Sequence, residues 1–429
     1  MCREGYTKPL YLEIRTIECF YRRINRPSCV NVKIAFILND TSPTNGATKA
    51  FLLLLQGLRI RGVQPHVVVP DKNGIYQELK VSKGVSIIAL DYRPCAYPRL
   101  TVPKDYLLFI PKLLGRIIVN TKAVRSLSAY LKTHQIDIVH TNVGVIDIGY
   151  RAALRCHLPH LFHIREYGNR IGLHFFPTTA SYLKKVTGDK TYSICITKCV
   201  QEFYGLNGNT RSRVIYDCIP SKKGPMPRQS SRKFFLYAGR IEANKGLDQL
   251  LEAYDSYLRH TQEPIPLYIA GSSDDKPYLS VITQYIESHH MGSHLHFLGN
   301  IHDLDTFMRE ALALIVPSRY EGFGLCLAEA MQNGCLTIGH NTTGTKEQFD
   351  NGLEVEGQEI GLRYETTEQL ANLLTEVSNH PVSHYDTYRE RAFHIVNEHY
   401  TTELHIGQVF AFYQDIINQI CRLLGIISA

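Results

Sequence analysis

The sequence contains no uninterrupted apolar run of the ~20 residues that a membrane-spanning helix requires. Its beginning carries Arg3, Glu4, Glu13 and Arg15, so it also lacks the apolar core of a secretory signal peptide. We therefore expect a cytoplasmic protein that is neither secreted nor membrane-spanning.

Paired cysteine motifs are also missing, although the chain has 11 cysteines. No Cys-x-x-Cys pair occurs, and the closest two, Cys195 and Cys199, have no further Cys or His beside them in sequence. An odd set without regular spacing is typical of reduced thiols, so we expect neither a disulfide framework nor a zinc site.

Length and composition predict a globular protein with two domains and a short appendage, because 429 residues exceed one ordinary core. Hydrophobic residues make up 44% and charged residues 20% of the chain. These fractions are typical of folded proteins and exclude a disordered chain.

Charge is distributed unevenly along the chain. Residues 1–219 hold 31 Lys and Arg against 14 Asp and Glu, whereas the rest holds 16 against 26. The basic half indicates an anionic partner. It lacks the clustered aromatic and glycine motifs of RNA-binding modules, so we expect no nucleic acid. Residues 107–132 mix Leu, Ile and Val with five basic residues, which fits either an anionic membrane surface or a solvated helix face.

Short apolar runs alternate with helix-length segments in two series. Val32–Asn39, His66–Val69, Val85–Leu90, Asp137–Thr141, His160–Ile164, Ile194–Ile196 and Val214–Tyr216 form the first; Phe234–Ala238, Leu267–Ala270, Leu295–Leu298, Ala313–Val316 and Leu336–Ile338 form the second. This alternation predicts an α/β protein with two doubly wound parallel sheets. We expect an extension over 1–29, a first domain over 30–219, a linker over 220–232, a second domain over 233–398 and a C-terminal helix over 399–429.

Two glutamates, Glu321 and Glu329, enclose a stretch with two glycines just after one of these runs. The order predicts a strand, a turn and then a helix, with a carboxylate on each side of the turn. Carboxylates bind neighbouring sugar hydroxyls, and a helix N-terminus binds phosphate, so a nucleotide-sugar would suit the site. The alternative is a solvated loop glutamate and an ordinary helix glutamate.

From Val32 to the C-terminal helix, the chain resembles the family 4 glycosyltransferases, retaining enzymes of the group 1 glycosyl transferases with a GT-B fold. The resemblance rests on the Glu, seven residues, Glu pattern from Glu321 to Glu329 and on Gly239-Arg240 followed by Lys245-Gly246. It implies two Rossmann-like domains facing a central cleft, with the C-terminal helix crossing back to the first domain.

The resemblance also implies roles for individual residues of the second domain. Arg240 and Lys245 would bind the donor diphosphate, Glu329 the ribose, and Glu321 would lie beside the reacting sugar carbon. Six further residues would contact the donor through backbone groups: Asn300, Ile301, Gly322, Phe323, Gly324 and Leu325, the last at the helix start.

In the first domain, the resemblance implies a donor-phosphate contact at Gly46, where Asn45 replaces the first glycine of the usual pair. We interpret this substitution through the tolerance of Asn for positive φ. His163 would face the donor sugar across the cleft as a catalytic residue, and Arg165 and Glu166 would lie on the acceptor side.

Two further motifs have alternative interpretations. Glu347 stands where the family has an acidic residue near the donor, although a helix start capped by Thr345 would also explain this stretch. Asp303-Leu304-Asp305 is similar to the metal-binding motif of another glycosyltransferase fold, but it opens a predicted helix, where acidic residues favourably meet the dipole. We therefore expect no metal.

The resulting prediction is a retaining, metal-independent hexosyltransferase without a cofactor. Its donor would be a nucleotide diphosphate sugar, with UDP or GDP preferred, and its acceptor a glycan or lipid-linked glycan in bacterial capsule or lipopolysaccharide assembly. We expect a peripheral position on the inner face of the cell membrane. The alternatives are an inactive nucleotide-sugar-binding scaffold of the same fold and a retaining glycosidase, which needs carboxyl groups ~5 Å apart.

Overall fold

The computed structural model describes residues 32–43, 45–98, 103–222, 224–227 and 234–423. The predicted extension over 1–29 and much of the predicted linker after residue 227 lie outside the described residues.

The first domain is built on a seven-stranded parallel sheet. The strands of the sheet are β1 (Lys33–Ile37), β2 (Gln64–Val69), β3 (Ser86–Ala89), β5 (Ile138–Thr141), β6 (His160–Ile164), β8 (Thr191–Cys195) and β9 (Ser212–Val214). Two further strands, β4 (Ala96–Pro98) and β7 (Leu173–Phe175), form a separate pair. The sheet order is β3-β2-β1-β5-β6-β8-β9. Both faces are covered, because β5, β6 and β8 are buried at every position.

Helices connect these strands and cover the sheet. They are α1 (Gly46–Ile60), α2 (Ile75–Val81), α3 (Pro103–His134), α4 (Ile148–Cys156), α5 (Thr179–Val186) and α6 (Lys198–Phe203). The β4–β7 pair is antiparallel and was not predicted from the sequence. Each of these strands has three residues, too short for a hydrophobic period to be recognised.

The second domain repeats the architecture with a six-stranded parallel sheet in the order β12-β11-β10-β13-β14-β15. Its strands are β10 (Phe235–Ala238), β11 (Leu267–Ala270), β12 (Leu295–Gly299), β13 (Ala313–Val316), β14 (Thr337–His340) and β15 (Leu362–Tyr364). Its helices are α7 (Leu247–His260), α8 (Lys276–Ser288), α9 (Leu304–Glu310), α10 (Leu325–Gln332), α11 (Thr343–Glu356), α12 (Thr367–Asn379) and α13 (Asp386–His399). The predicted pair of Rossmann-like domains is thus confirmed.

The last helix, α14 (Thr402–Leu423), returns to the first domain and completes its core. Ile406, Val409, Phe412 and Ile416 are buried in the same hydrophobic cluster as β1 and α1. Contact with α1 is close, because a Cβ on Gly57 would lie 2.0 Å from Ile406 Cδ1. Helix α14 therefore packs in the same core as the first strand and α1 of the first domain.

Among the described residues, no helix combines the length and the apolar character needed to cross a bilayer.

Candidate active site

The turn after β13 lies against the carboxyl end of β6, so the two domains meet at this point. A Cβ on Gly322 would lie 2.4 Å from the carbonyl oxygen of Arg165, which leaves no space for a larger residue. The Thr197 hydroxyl donates a hydrogen bond to the Gly322 carbonyl at 3.1 Å. In parallel sheets ligands bind beyond the carboxyl ends of the strands, and here both sheets contribute such an edge.

The first glutamate of the turn is paired with a lysine. Lys245 Nζ donates to Glu321 Oε2 at 2.7 Å, and both side chains are mostly buried. Gly246, at φ 69°, brings Lys245 close to the turn, since a Cβ there would lie 2.0 Å from the Pro317 carbonyl oxygen. The pair places a cation and a carboxylate at the edge of the sheet. A diphosphate bound there could replace the Glu321 carboxylate as the ion-pair partner of Lys245.

The second glutamate has a different environment. Glu329 lies one turn into α10 and is half-buried, and burial raises the pKa of its carboxyl group. Lys49, on α1 of the first domain, and Lys222 act in the opposite direction on this pKa, whereas Asp305 raises it further. Within the described parts of the chain, no donor forms a hydrogen bond with the Glu329 carboxylate. A half-buried carboxylate without a donor is suited to bind ligand hydroxyls.

Arg240 follows β10 and projects into solvent. Its side chain is 75% exposed, and Nη2 lies 3.2 Å from Glu242 Oε1. An exposed ion pair of this kind is weak, so the guanidinium can leave Glu242 for a stronger bidentate partner such as a diphosphate. Arg240 and Lys245 thus both follow the carboxyl end of β10, Arg240 closely and Lys245 in the next turn.

Gly46 lies across the cleft from the start of α10. A Cβ at Gly46 would lie 3.4 Å from Leu325 Cδ1, which brings the first turn of α1 beside the Glu321–Glu329 segment. Asn45 has φ −71° and caps α1 by accepting from the Ala47 N–H at 3.0 Å. Our interpretation of Asn45 as a residue tolerated at positive φ is therefore wrong. Asn is favoured here because it is a strong N-cap.

His163 lies inside β6 and has no exposed surface. Its ring stacks on His140 at 5.4 Å and on His405 at 6.2 Å between centroids, and burial lowers its pKa well below the usual range. His163 was predicted to face a donor sugar across the cleft, whereas in the structure its ring is fully buried between His140 and His405.

Arg165 and Glu166, the predicted acceptor-side residues, directly follow the end of β6. The Arg165 guanidinium forms a buried ion pair with Asp217 and donates from Nε to the Asn142 carbonyl at 3.2 Å. Burial raises the pKa of Glu166 to about 7. A Cβ at Gly144 would lie 2.8 Å from Glu166 Oε1, so glycine is required where the chain passes this carboxyl group.

Two residues that support the Glu321 turn were not predicted. The Glu321 N–H donates to Thr343 Oγ1 at 2.9 Å, and Thr343 has φ 48°, a conformation rare for a β-branched residue. Next to it, a Cβ on Gly344 would lie 2.5 Å from the Gly322 carbonyl oxygen. The run of Thr and Gly residues before Lys346 was the only sequence signal for this tight contact.

Glu347 connects the two domains. Its carboxylate is buried and accepts from the Lys198 N–H at 2.6 Å, the Cys199 N–H at 2.8 Å and the Tyr216 hydroxyl at 2.9 Å. Glu347 therefore caps α6 of the first domain from α11 of the second. The alternative of a helix start capped by Thr345 is wrong, because the N-cap position of α11 is Thr342.

The remaining predicted positions lie at the end of β12 and after it. Asn300 is exposed and Ile301 is half-buried. Asp303 caps α9, accepting from the Thr306 N–H at 3.1 Å and from its hydroxyl at 2.6 Å. Asp305 accepts from Lys222 Nζ at 2.5 Å. The structure therefore supports the helix-start interpretation of this acidic motif.

Comparisons with known proteins connect this geometry to a family. Residues 220–394 match the family model described as glycosyl transferases group 1. The chain is 32% identical over 122 residues to the uncharacterized glycosyltransferase YqgM of Bacillus subtilis, covering 28% of this chain and 33% of that protein. It is 31% identical over 133 residues to O-antigen chain mannosyltransferase B of Escherichia coli, covering 30% of this chain and 34% of that protein.

The matches thus span about a third of the length of these two curated relatives. Among solved structures, Anabaena Alr3699/HepE in complex with UDP-glucose superposes with a TM-score of 0.69 at 16% identity. The superposition covers 90% of this chain and 100% of that chain, and it shows the shared fold. The second domain thus matches the group 1 glycosyl transferases, and the two Rossmann-like domains form the GT-B fold.

Proposed function

We propose that the protein transfers a sugar from a nucleotide diphosphate sugar to an acceptor hydroxyl with retention at the anomeric carbon. One observation carries the proposal. Glu321 is neutralised by Lys245 on one side of a glycine turn, while Glu329 remains without a hydrogen-bond donor among the described residues on the other side. Two carboxylates in such different environments suit separate tasks, sugar contact and ribose binding.

Departure of the diphosphate would be stabilised by fixed positive groups. Arg240 can rotate from its exposed pair with Glu242, and Lys245 can exchange Glu321 for phosphate. Backbone N–H groups of Phe323, Gly324 and Leu325 at the start of α10 add partial positive charge. These donors supply the electrostatic stabilisation for which other enzymes use a metal, so we propose a metal-independent reaction.

This scheme needs neither a protein nucleophile at the sugar carbon nor a protein base for the acceptor's proton. The acceptor hydroxyl would attack from the face that the diphosphate leaves, and a departing phosphate oxygen would take its proton. Arg165 and Glu166 would lie on the acceptor side, next to Gly322. His163 would support them from within the strand, since Arg165 Nη2 lies 3.4 Å from His163 Nδ1.

Similarity to named proteins supports the donor and acceptor classes. One structural neighbour was solved with UDP-glucose, and one relative is named an O-antigen chain mannosyltransferase. We propose UDP or GDP as the nucleotide, a hexose as the transferred sugar, and a glycan or lipid-linked glycan of a bacterial surface polysaccharide as the acceptor.

A thermal-shift screen of UDP-, GDP-, ADP- and TDP-sugars tests the donor, followed by mass spectrometry of the product with glycan acceptors. Donor consumption only in the presence of an acceptor, insensitive to EDTA, with the anomeric configuration retained by NMR, is the expected result. Tight nucleotide binding without turnover over a broad acceptor panel would instead favour the inactive scaffold. Hydrolysis of a simple glycoside without nucleotide would favour the glycosidase.

A further inference from the structure

Helix α3 has two halves that differ in burial. From Asn120 onward it packs into the first domain, where Ala123, Val124, Leu127 and Leu131 are buried. Between Leu107 and Val119, no residue of the helix is fully buried. The first half therefore extends along the surface of the domain.

Large apolar side chains are exposed along this first half. Leu107, Ile110, Leu114, Ile117 and Ile118, called the apolar stripe below, are 79%, 58%, 54%, 40% and 55% exposed. Their spacing of three, four, three and one residues keeps them on one helical face. Single exposed apolar residues need no explanation, whereas a contiguous row of five marks an interaction surface.

The outward direction of the apolar stripe is fixed by contacts on the other side of the helix. The Phe109 ring lies against Tyr97 of β4, with centroids 5.1 Å apart. Arg116 donates to the Ala96 carbonyl at 2.8 Å. The helix is thus held to the β4–β7 pair by one face and presents the apolar stripe on another.

Positive charge continues the same face. Lys122 and Arg125 follow Ile118 at intervals of four and three residues, and both are exposed. No Asp or Glu occurs in the sequence between Asp105 and Asp137. A helix with an apolar row, flanking cations and no acidic residue is complementary to an anionic lipid surface.

We propose that α3 docks on the surface of an anionic phospholipid bilayer. The apolar stripe lies among the headgroups and the first acyl carbons, and Lys122 and Arg125 lie near the lipid phosphates. The stripe spans 12 residues, ~17 Å at 1.5 Å per residue, so the helix lies in the interface. Delivery of a lipid-linked acceptor to the cleft rests on the proposed function, whereas docking itself does not.

Vesicle flotation with the full-length protein tests this proposal. The stripe variant carries Leu107→Ser, Ile110→Ser and Leu114→Ser. The control variant carries Ile60→Ser, Val81→Ser and Val281→Ser, which removes three apolar side chains that are 86%, 81% and 59% exposed elsewhere. A charge variant carries Lys122→Gln and Arg125→Gln.

We expect wild-type protein to float with phosphatidylglycerol vesicles and much less with phosphatidylcholine vesicles, with binding reduced by salt. The stripe variant should bind at least ~10-fold more weakly, the charge variant several-fold more weakly, and the control within about 2-fold of wild type. Glu329→Ala, inactive by the proposed function, should float like wild type. The stripe variant should keep its turnover with a water-soluble acceptor.

Three results would overturn the proposal. Flotation unchanged in the stripe variant would place the membrane contact elsewhere. Absence of wild-type flotation, together with a lower melting temperature of the stripe variant, would indicate that another segment of this chain covers the stripe. A wild-type dimer by light scattering that the stripe variant abolishes, without vesicle binding, would identify a second copy as the partner.

Discussion

Glu329 is the residue for which ligand binding would change the environment most. Its carboxylate is half-buried without a hydrogen-bond donor among the described residues, so two ribose hydroxyls would supply charged hydrogen bonds to it. We predict that Glu329→Ala weakens donor binding by about 30- to 100-fold, which corresponds to about 2 to 3 kcal/mol. Isothermal titration with the donor measures it.

The control for this variant is Glu354→Ala, an exposed glutamate on α11. It should bind the donor like wild type. Donor affinity of Glu329→Ala equal to wild type would contradict the ribose assignment.

Glu321 is already paired in the absence of ligand, so its role should differ from that of Glu329. Glu321→Gln removes the carboxylate that holds Lys245 at 2.7 Å and that would lie beside the reacting carbon. We predict at least a ~10-fold loss of kcat with donor Kd changed by less than about 3-fold, because the lost interaction belongs to the transition state. Steady-state kinetics combined with titration separates the two constants, and an unchanged kcat would be inconsistent with this role.

At the scale of elements, Glu347 links α11 of one domain to α6 of the other. Glu347→Ala leaves the Lys198 and Cys199 N–H groups and the Tyr216 hydroxyl without their acceptor. We predict that the free energy of unfolding falls by about 2 to 4 kcal/mol, since a lost cap and a lost charged hydrogen bond add. Urea unfolding measures the change.

Glu347→Gln should recover about half of this loss, because one amide oxygen still accepts. Equal stability of wild type and Glu347→Ala would show that the cap contributes little.

Elements were easier to predict from the sequence than their ends and their partners. Ala313–Val316 and the turn to Glu321 followed from a continuous apolar run and two glycines. The bounds of β6 agree with the predicted run His160–Ile164, but both faces of the strand are buried, so no alternation indicated that the His163 ring lies in the interior. Glu347 could not be assigned, since its partners lie about 130 to 150 residues away in the other domain.

At the scale of the whole molecule, buried histidines connect the first sheet to the returning helix α14. His140 Nδ1 lies 2.5 Å from the Tyr413 hydroxyl, and His405 Nδ1 donates to the Tyr216 carbonyl at 2.6 Å. Burial lowers the pKa values of His140, His163 and His405, with the nearby Arg165 acting in the same direction, and burial lowers the pKa of His160 to about 3. Asp217 acts in the opposite direction on the pKa of His405. The lowered pKa values favour the neutral form of these rings in the folded protein.

This arrangement gives stability a defined dependence on pH. The unfolded chain protonates these four histidines below about pH 6.5, whereas the folded chain does so only at lower pH, so they lower stability as pH falls. Glu166 acts in the opposite direction, because its pKa of about 7 lets the folded state take up a proton first. We predict that unfolding free energy falls by a few kcal/mol between pH 7.5 and pH 5.5, at about 1.4 kcal/mol for each histidine with a strongly lowered pKa. Urea unfolding at both pH values measures it. His163→Gln should make the fall in unfolding free energy between pH 7.5 and pH 5.5 smaller by about 1.4 kcal/mol. An unfolding free energy that rises toward pH 5.5 would rule out neutral histidines between the sheet and α14.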